Sequence, residues 1–201
     1  MKDVKKILII NGSYREDGIT DRAAQALTNA LGDQGIDTEI ILLRDQEIHF
    51  CLNCRECMQK PGPDPEPCVQ HDAMDSIVAK IEAADGYILA APTNLGSATA
   101  LFKRFMERLA VYAYWPWGGP APKYRKDNAP RKKAVIITSS SAPGFLGRWL
   151  FGTSRQLKYT ARIMGADHVG TLYSGLIANE AHAELPNSTN KKVISLVKKL
   201  Q

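Results

Sequence analysis

All four cysteines of the chain fall between positions 51 and 68, in the stretch CLNCRECMQKPGPDPEPC. Cys51, Cys54 and Cys57 follow a C-x2-C-x2-C spacing, and ten residues separate Cys57 from Cys68. That spacing on a loop brings three sulfurs within reach of one centre, and a fourth from further along can complete it. Thiolate ligands suit an iron–sulfur cluster or zinc, and His71 is a neighbouring nitrogen ligand for zinc. The same residues read equally as free or redox-active thiols, or as thiols with a structural role. Disulfides are not expected, because the chain reads as a reduced, cytoplasmic protein. The Lys residues ahead of Ile7-Leu-Ile-Ile10 look like a signal peptide only superficially: the run has four residues and no small-residue cleavage site follows. No apolar run approaches the ~18 residues of a membrane span, so no membrane partner is expected.

Three polar segments could do different chemistry: Asn11–Thr20 (NGSYREDGIT), Ala91–Ser97 (APTNLGS) and Ser139–Gly144 (SSSAPG). The first leads into a helix, whose N-terminus offers free backbone N–H groups and a positive dipole end to a phosphate. Gly12 and Gly18 permit close turns, Ser13 and Thr20 add hydroxyls, and Arg15 adds a forked cation. The pattern is neither a Walker A loop nor a dinucleotide GxGxxG. Glu16 and Asp17 oppose an anion unless they face outward, and an ordinary polar connection is the alternative reading.

These loops need a frame to position them. Apolar runs of β-type residues at Lys6–Asn11, Asp37–Leu43, Gly86–Ala91, Lys133–Ser139 and Asp167–Ser174 predict five strands. Helical spacing predicts helices over Thr20–Leu31, with Thr20 as N-cap, and Ala73–Ala84, with Asp72 as N-cap. Further helices are expected over Ser97–Tyr114, Gly147–Met164 and Asn190–Leu200. Strands alternating with helices imply an α/β fold, a three-layer, doubly wound, five-stranded parallel sheet. Ligands bind such sheets outside the carboxyl ends of the strands, where the three polar segments lie. The chain reads as one domain over 1–201, with irregular inserts at about 50–71 and 115–131. Net charge is +5, much of it in Lys123–Lys126, Arg131–Lys133 and the last helix. It reads as solvated surface, with some attraction for anionic cofactors, and no nucleic-acid motif accompanies it.

Gly12-Ser13-x-Arg15 with Thr20, Ala91-Pro92, Lys103-x-Phe105 with Arg108, the cysteine triplet with Cys68, and Asp72-x-Met74 occur in that setting. Together they resemble the flavodoxin-like NAD(P)H-dependent FMN reductases and their iron–sulfur flavoprotein relatives. The resemblance implies strand order 2-1-3-4-5, FMN as cofactor and NAD(P)H as co-substrate. It implies that Ser13, Arg15, Ile19 and Thr20 hold the FMN phosphate and that Pro92, Thr93, Asn94, Leu95 and Gly96 run along the ring. Ser139, Ser140, Ser141 and Gly144 would approach its other edge and the ribityl chain. Related sequences often carry an aromatic residue where this chain has Asn94, and the WPWGGPAPKY insert reads either as its replacement, across a dimer, or as a surface or interface loop. No catalytic side chain is expected, because flavin N5 carries the chemistry. Arg108 and Lys103 read as helix-surface or cofactor-adjacent charges, and of the four histidines only His71 lies near a site. The apolar stripe of Leu101, Phe102, Phe105, Met106, Leu109 and Tyr112 is core, or a dimer face where it exceeds the core. Cys51, Cys54, Cys57 and Cys68 match the positions where such relatives hold a 4Fe–4S cluster, but the gap before Cys68 is longer than their compact spacing. The expected function is NAD(P)H-driven reduction of a small acceptor (a flavin, quinone, nitro or azo compound, or metal ion) by a homodimer or tetramer. An electron carrier linking protein partners and a non-enzymatic binding module are the alternatives. Arg125, Lys126 and Arg148 are candidates for the additional phosphate of NADPH.

Overall fold

The computed structural model describes residues 6–142, 150–175, 185–186 and 188–201. In chain order the elements are β1 (Lys6–Asn11), α1 (Ile19–Gly32), β2 (Asp37–Leu42), α2 (Ala73–Ala83), β3 (Gly86–Asn94), β4 (Ser97–Ala98), α3 (Ala100–Arg108), β5 (Ala113–Tyr114), β6 (Lys123–Tyr124), β7 (Lys132–Ser139), α4 (Thr153–Ile163), β8 (Ala166–Ser174) and α5 (Ser188–Leu200). The long strands pair in parallel in the order β2-β1-β3-β7-β8, which is 2-1-3-4-5 when they alone are counted. Alternation along the strands divides the interior in two. Leu8, Ile10, Leu89 and Ile136 pack with α2, α3 and α4 on one face. Ile7, Ile9, Ile88 and Val135 pack with α1 and α5 on the other. A strand buried on both faces has no polar side, which is why these runs read as continuous apolar segments. No helix among the described residues is long and apolar enough to cross a membrane.

Two local expectations are corrected. Thr20 does not cap α1; Gly18 takes that position without a side-chain bond, and Thr20 sits inside the first turn. The helix expected over Ser97–Tyr114 is four elements. Ser97–Ala98 forms the short β4 against β3, α3 starts at the Thr99 cap, and after Arg108 the chain tightens into a 3₁₀ turn over Leu109–Tyr112 before β5. Tertiary partners take the carbonyls that would continue the helix. Glu66 N–H reaches Val111 O at 3.3 Å and Arg125 N–H reaches Tyr112 O at 2.8 Å. The apolar stripe is largely consumed by the core, since Leu101, Phe102, Phe105, Leu109 and Tyr112 are all buried. The helix expected over Gly147–Met164 is described only as α4, its start lying outside the described residues.

Arg108 is not a surface charge. Its side chain and that of Asp72 are each 1% exposed, and they form an ion pair. Arg108 donates to both Asp72 carboxylate oxygens and, at 3.0 Å, to the carbonyl of His49. Asp72 also accepts from His49 N–H at 2.8 Å and, as the expected N-cap of α2, from Met74 N–H at 2.9 Å. His49 therefore belongs to this junction, although the sequence points to His71 as the histidine near a site. Burial alone would raise the Asp72 pKa, but the Arg108 guanidinium and the His49 and Met74 amides outweigh it and hold the carboxyl below its ordinary value. Removing one partner of a buried pair strands the other charge, at a cost of about 3–5 kcal/mol. Asp72→Ala is expected to lose about that much in urea unfolding, while Asp72→Ala/Arg108→Met recovers a large part. The native pKa is depressed, so the pair's contribution is complete above the unfolded value of about 3.9 and is lost as pH falls through the native value. Acid titration of wild type against Asp72→Asn checks the sign: wild type alone should show this loss below about pH 4.

Candidate functional site

The carboxyl ends of β1, β3 and β7 lie side by side, because Asn11 pairs with Ala90 and Pro92 pairs with Ser139. The loop after β1 is folded by its own polar groups. Asn11 accepts from Ser13 N–H at 2.9 Å and donates to Asp21 at 2.6 Å. Ser13 Oγ bonds Arg15 O and Arg15 N, each at 3.2 Å. Arg44, just beyond β2, pairs with Asp21 at 3.0 Å. Thr99 donates to Gly12 O at 2.6 Å, tying the loop to α3. Thr20 Oγ1 lies 3.3 Å from Ser139 Oγ, so the start of α1 meets the end of β7.

The structure thus brings Ser13, Ile19, Thr20 and Ser139 to one edge, all four buried. Arg15 is exposed beside them, as are Glu16 and Asp17, whose carboxylates therefore do not occupy the loop's interior. Pro92, Thr93 and Asn94 end β3. Thr93 bonds Thr153 of α4 at 2.9 Å, and Asn94 pairs with Ser97 across the β3–β4 turn. Leu95 and Gly96 form that turn with φ of 47° and 79°. Asn94 is exposed and Leu95 fully so. Ser140 is buried against Tyr173, its amide bonding Ser174 O at 3.0 Å, and Ser141 is exposed next to it. Gly144 and Arg148 lie outside the described residues. Sequence reasoning misses Asn11, Asp21, Arg44, Thr99 and Thr153. Asn11 and Arg44 carry a usable signal, since each sits at the carboxyl end of a strand.

The cysteine segment forms a second centre. All four cysteines line one cavity, together with Arg55 and Arg108. Cys57 is buried and the other three are half-buried. Backbone amides donate to two of the sulfurs: Asn53 N–H to Cys51 at 3.4 Å and Gln70 N–H to Cys68 at 3.5 Å. Asn53 and Arg55 adopt left-handed backbone, φ 52° and 62°, uncommon for non-glycine residues and frequent at functional sites. Burial, followed by the neighbouring Cys68, Cys51 and Cys54, pushes the Cys57 thiol up to about 11, so without a ligand it is neutral at pH 7. Among the described residues no three His, Cys, Asp or Glu side chains are placed to share a single metal ion. His71 instead lies 3.4 Å from Asp75.

The second insert is anchored to the cysteine segment, while Trp117 at its tip stays exposed. Its β5–β6 ribbon and flanking turns pack on the cysteine segment. Arg125 is buried and donates to Val111 O, Gly62 O and Cys57 O at 3.0–3.1 Å. Lys126 pairs with Glu82 and Asp64. Two of the three candidates for an NADPH phosphate, Arg125 and Lys126, are therefore engaged in holding the two inserts together. Trp115 N–H reaches Met58 O at 2.9 Å, and Trp115 and Trp117 flank the Arg55 guanidinium.

Comparison with known proteins agrees with this frame. The profile of the NADPH-dependent FMN reductase family matches residues 5–173. An iron–sulfur flavoprotein of Methanocaldococcus jannaschii is 35% identical over 103 residues, 51% of each chain. Another, of Archaeoglobus fulgidus, is 29% identical over 134 residues, 64% of this chain and 59% of the relative. The aligned regions thus span only 51–59% of the length of these curated relatives. Among solved structures, an FMN-dependent NADH-azoreductase from Bacillus anthracis in complex with FMN shares the fold, with a TM-score of 0.63 at 13% identity over 98% of this chain and 99% of the other. A profile match over most of the chain, on a sheet of the order that family resemblance implied, establishes that the chain belongs to the NADPH-dependent FMN reductase family.

Proposed function

We propose that this chain binds FMN at the edge formed by β1, β3 and β7 and works as an oxidoreductase drawing electrons from NAD(P)H. The junction of Thr20 with Ser139 carries the reading. It sets the start of α1, which has no side-chain cap of its own, against the end of β7. First-turn N–H groups without a side-chain acceptor, at the positive end of the helix, suit a phosphate. Bound there, FMN supplies redox chemistry at its N5 edge. The chain's own residues bind and orient. Ser13, Ile19 and Thr20 form the phosphate end, Thr93 to Gly96 provide backbone beside the ring, and Ser139 and Ser140 close the opposite side. Asn94 and Leu95, both exposed, leave the ring's neighbourhood open to a small acceptor such as a flavin, quinone, nitro or azo compound, or metal ion.

Purified protein is expected to take up FMN, to absorb in the near-ultraviolet and blue, and to oxidise NADH or NADPH with an artificial acceptor. A colourless protein that takes up no added FMN overturns the cofactor, and flavin-loaded protein that oxidises neither nucleotide overturns the reaction. Gly12 gives a finer test. A Cβ there would lie 2.7 Å from Phe102 Cβ, in the rigid core. Gly12→Ala is expected to displace the loop and weaken FMN binding roughly tenfold, which corresponds to about 1.4 kcal/mol in a fluorescence titration.

A second reading is carried by the thiol cavity: the chain holds an iron–sulfur cluster on Cys51, Cys54, Cys57 and Cys68 and relays electrons between that centre and FMN. The donor set suits it, with four sulfurs around one cavity and backbone N–H···S bonds at two of them. The cavity is only about 20 Å³, so loading requires its walls to open. Anaerobic treatment with ferrous iron and sulfide is expected to add a broad visible shoulder to the flavin spectrum, and Cys57→Ser to abolish it. Wild-type protein that binds no iron under these conditions overturns this reading and leaves the FMN reading standing.

A further inference from the structure

Two arginines line the thiol cavity, and both carry an unmet donor. Arg55 Nε–H and Arg108 Nε–H are buried and have no hydrogen-bond partner. Nη donors on each side chain are engaged. Arg108 is held by Asp72 and His49. Arg55 donates through Nη2 to Trp115 O at 2.6 Å and Pro116 O at 3.2 Å. Its guanidinium carbon lies 3.8 Å from the ring centre of Trp115 and 4.4 Å from that of Trp117. Leaving a buried donor unsatisfied is costly. Two such donors on fixed cations, beside four thiols, describe a cavity built to receive negative charge with acceptor atoms. The two sites are not equivalent. The charge of Arg108 is balanced by Asp72, whereas Arg55 is held by carbonyls and aromatic rings, neither of which neutralises it.

We propose that Arg55, clamped by Trp115 and Trp117, is a positioning residue that sets the reduction potential of the thiolate-bound centre, with Arg108 as the second donor. This rests on the cluster reading above. A thiolate-ligated cluster becomes more negative on reduction. A nearby cation and N–H donors to its sulfur atoms stabilise the reduced form and raise the potential. The tryptophan insert then acts on redox chemistry by fixing a charge, without providing an aromatic to the flavin.

The test uses full-length protein loaded with FMN and reconstituted anaerobically with ferrous iron and sulfide. Reduction potentials of both centres are followed by spectroelectrochemistry in wild type, Arg55→Gln, Arg55→Lys and Trp117→Ala. Arg55→Gln is expected to lower the potential of the iron–sulfur centre and leave that of FMN in place. Arg55→Lys, which keeps the charge but loses Nε–H, shifts it less. Trp117→Ala leaves all four cysteines and both arginines present and shifts the potential the same way by freeing the guanidinium. If Arg55→Gln takes up no iron, Trp117→Ala and Arg55→Lys decide. Loaded variants with the wild-type potential overturn the role of Arg55 while leaving the cluster in place. Wild-type protein that never takes up iron overturns the cluster reading and this proposal with it.

Discussion

The buried pair of Arg108 and Asp72 closes the cysteine segment at its base. Asp72 lies after Cys68 and His49 before Cys51, and both are held by one guanidinium at the end of α3. The 22 or so residues between them have little regular structure, so they lack a ladder of backbone bonds to fix their shape. Anchoring both ends at one charged, dehydrated point restricts what the segment can do and places Cys68 beside the other three cysteines. The same carboxylate starts α2, so the helix that covers one face of the sheet and the loop that carries the thiols share one junction. Pairing in the interior is strong only because each oxygen and each Nη has a partner; the loss of any one would expose a charge that burial penalises.

The two inserts complete each other. Proline at alternate positions prevents residues 61–67 from forming a sheet or helix, and the second insert is too short to have a core of its own. Arg125 bridges them by donating to carbonyls at Cys57, Gly62 and Val111. Loop carbonyls that neither helix nor strand satisfies are thereby met by a side chain, as burial demands. What reads in the sequence as two irregular excursions is one packed layer against α2 and α3.

The flavin-type edge is organised differently. It depends on the parallel sheet, whose register sets three loop origins side by side, and on small polar contacts between loops. Gly12 lets the first loop lie against Phe102, and Thr99 bonds its carbonyl. The thiol centre, in contrast, depends on arginines reaching between loops. One centre is a product of topology and the other of side-chain contacts.

Much of the frame was legible in the sequence. Apolar runs marked all five long strands, Asp72 announced α2, and the turn residues placed three polar loops at one end of the sheet. Local chemistry suffices there, because apolar patterning, helix capping and turn formation are set by residues close together in the chain. The extent of α3, the role of Thr20 and the fate of Arg108, Arg125 and the tryptophans were not legible. Each depends on partners distant along the chain. Thr20 Oγ1 meets Ser139, 119 positions on, and Arg125 reaches Val111 O and Cys57 O, 14 and 68 positions away. The sequence by itself determined a doubly wound sheet, its loop edge and a set of four thiols. Only the tertiary structure decided that a single buried ion pair closes the thiol loop and that two arginines face it with a donor unmet, because burial and charge pairing are properties of segments brought together in space.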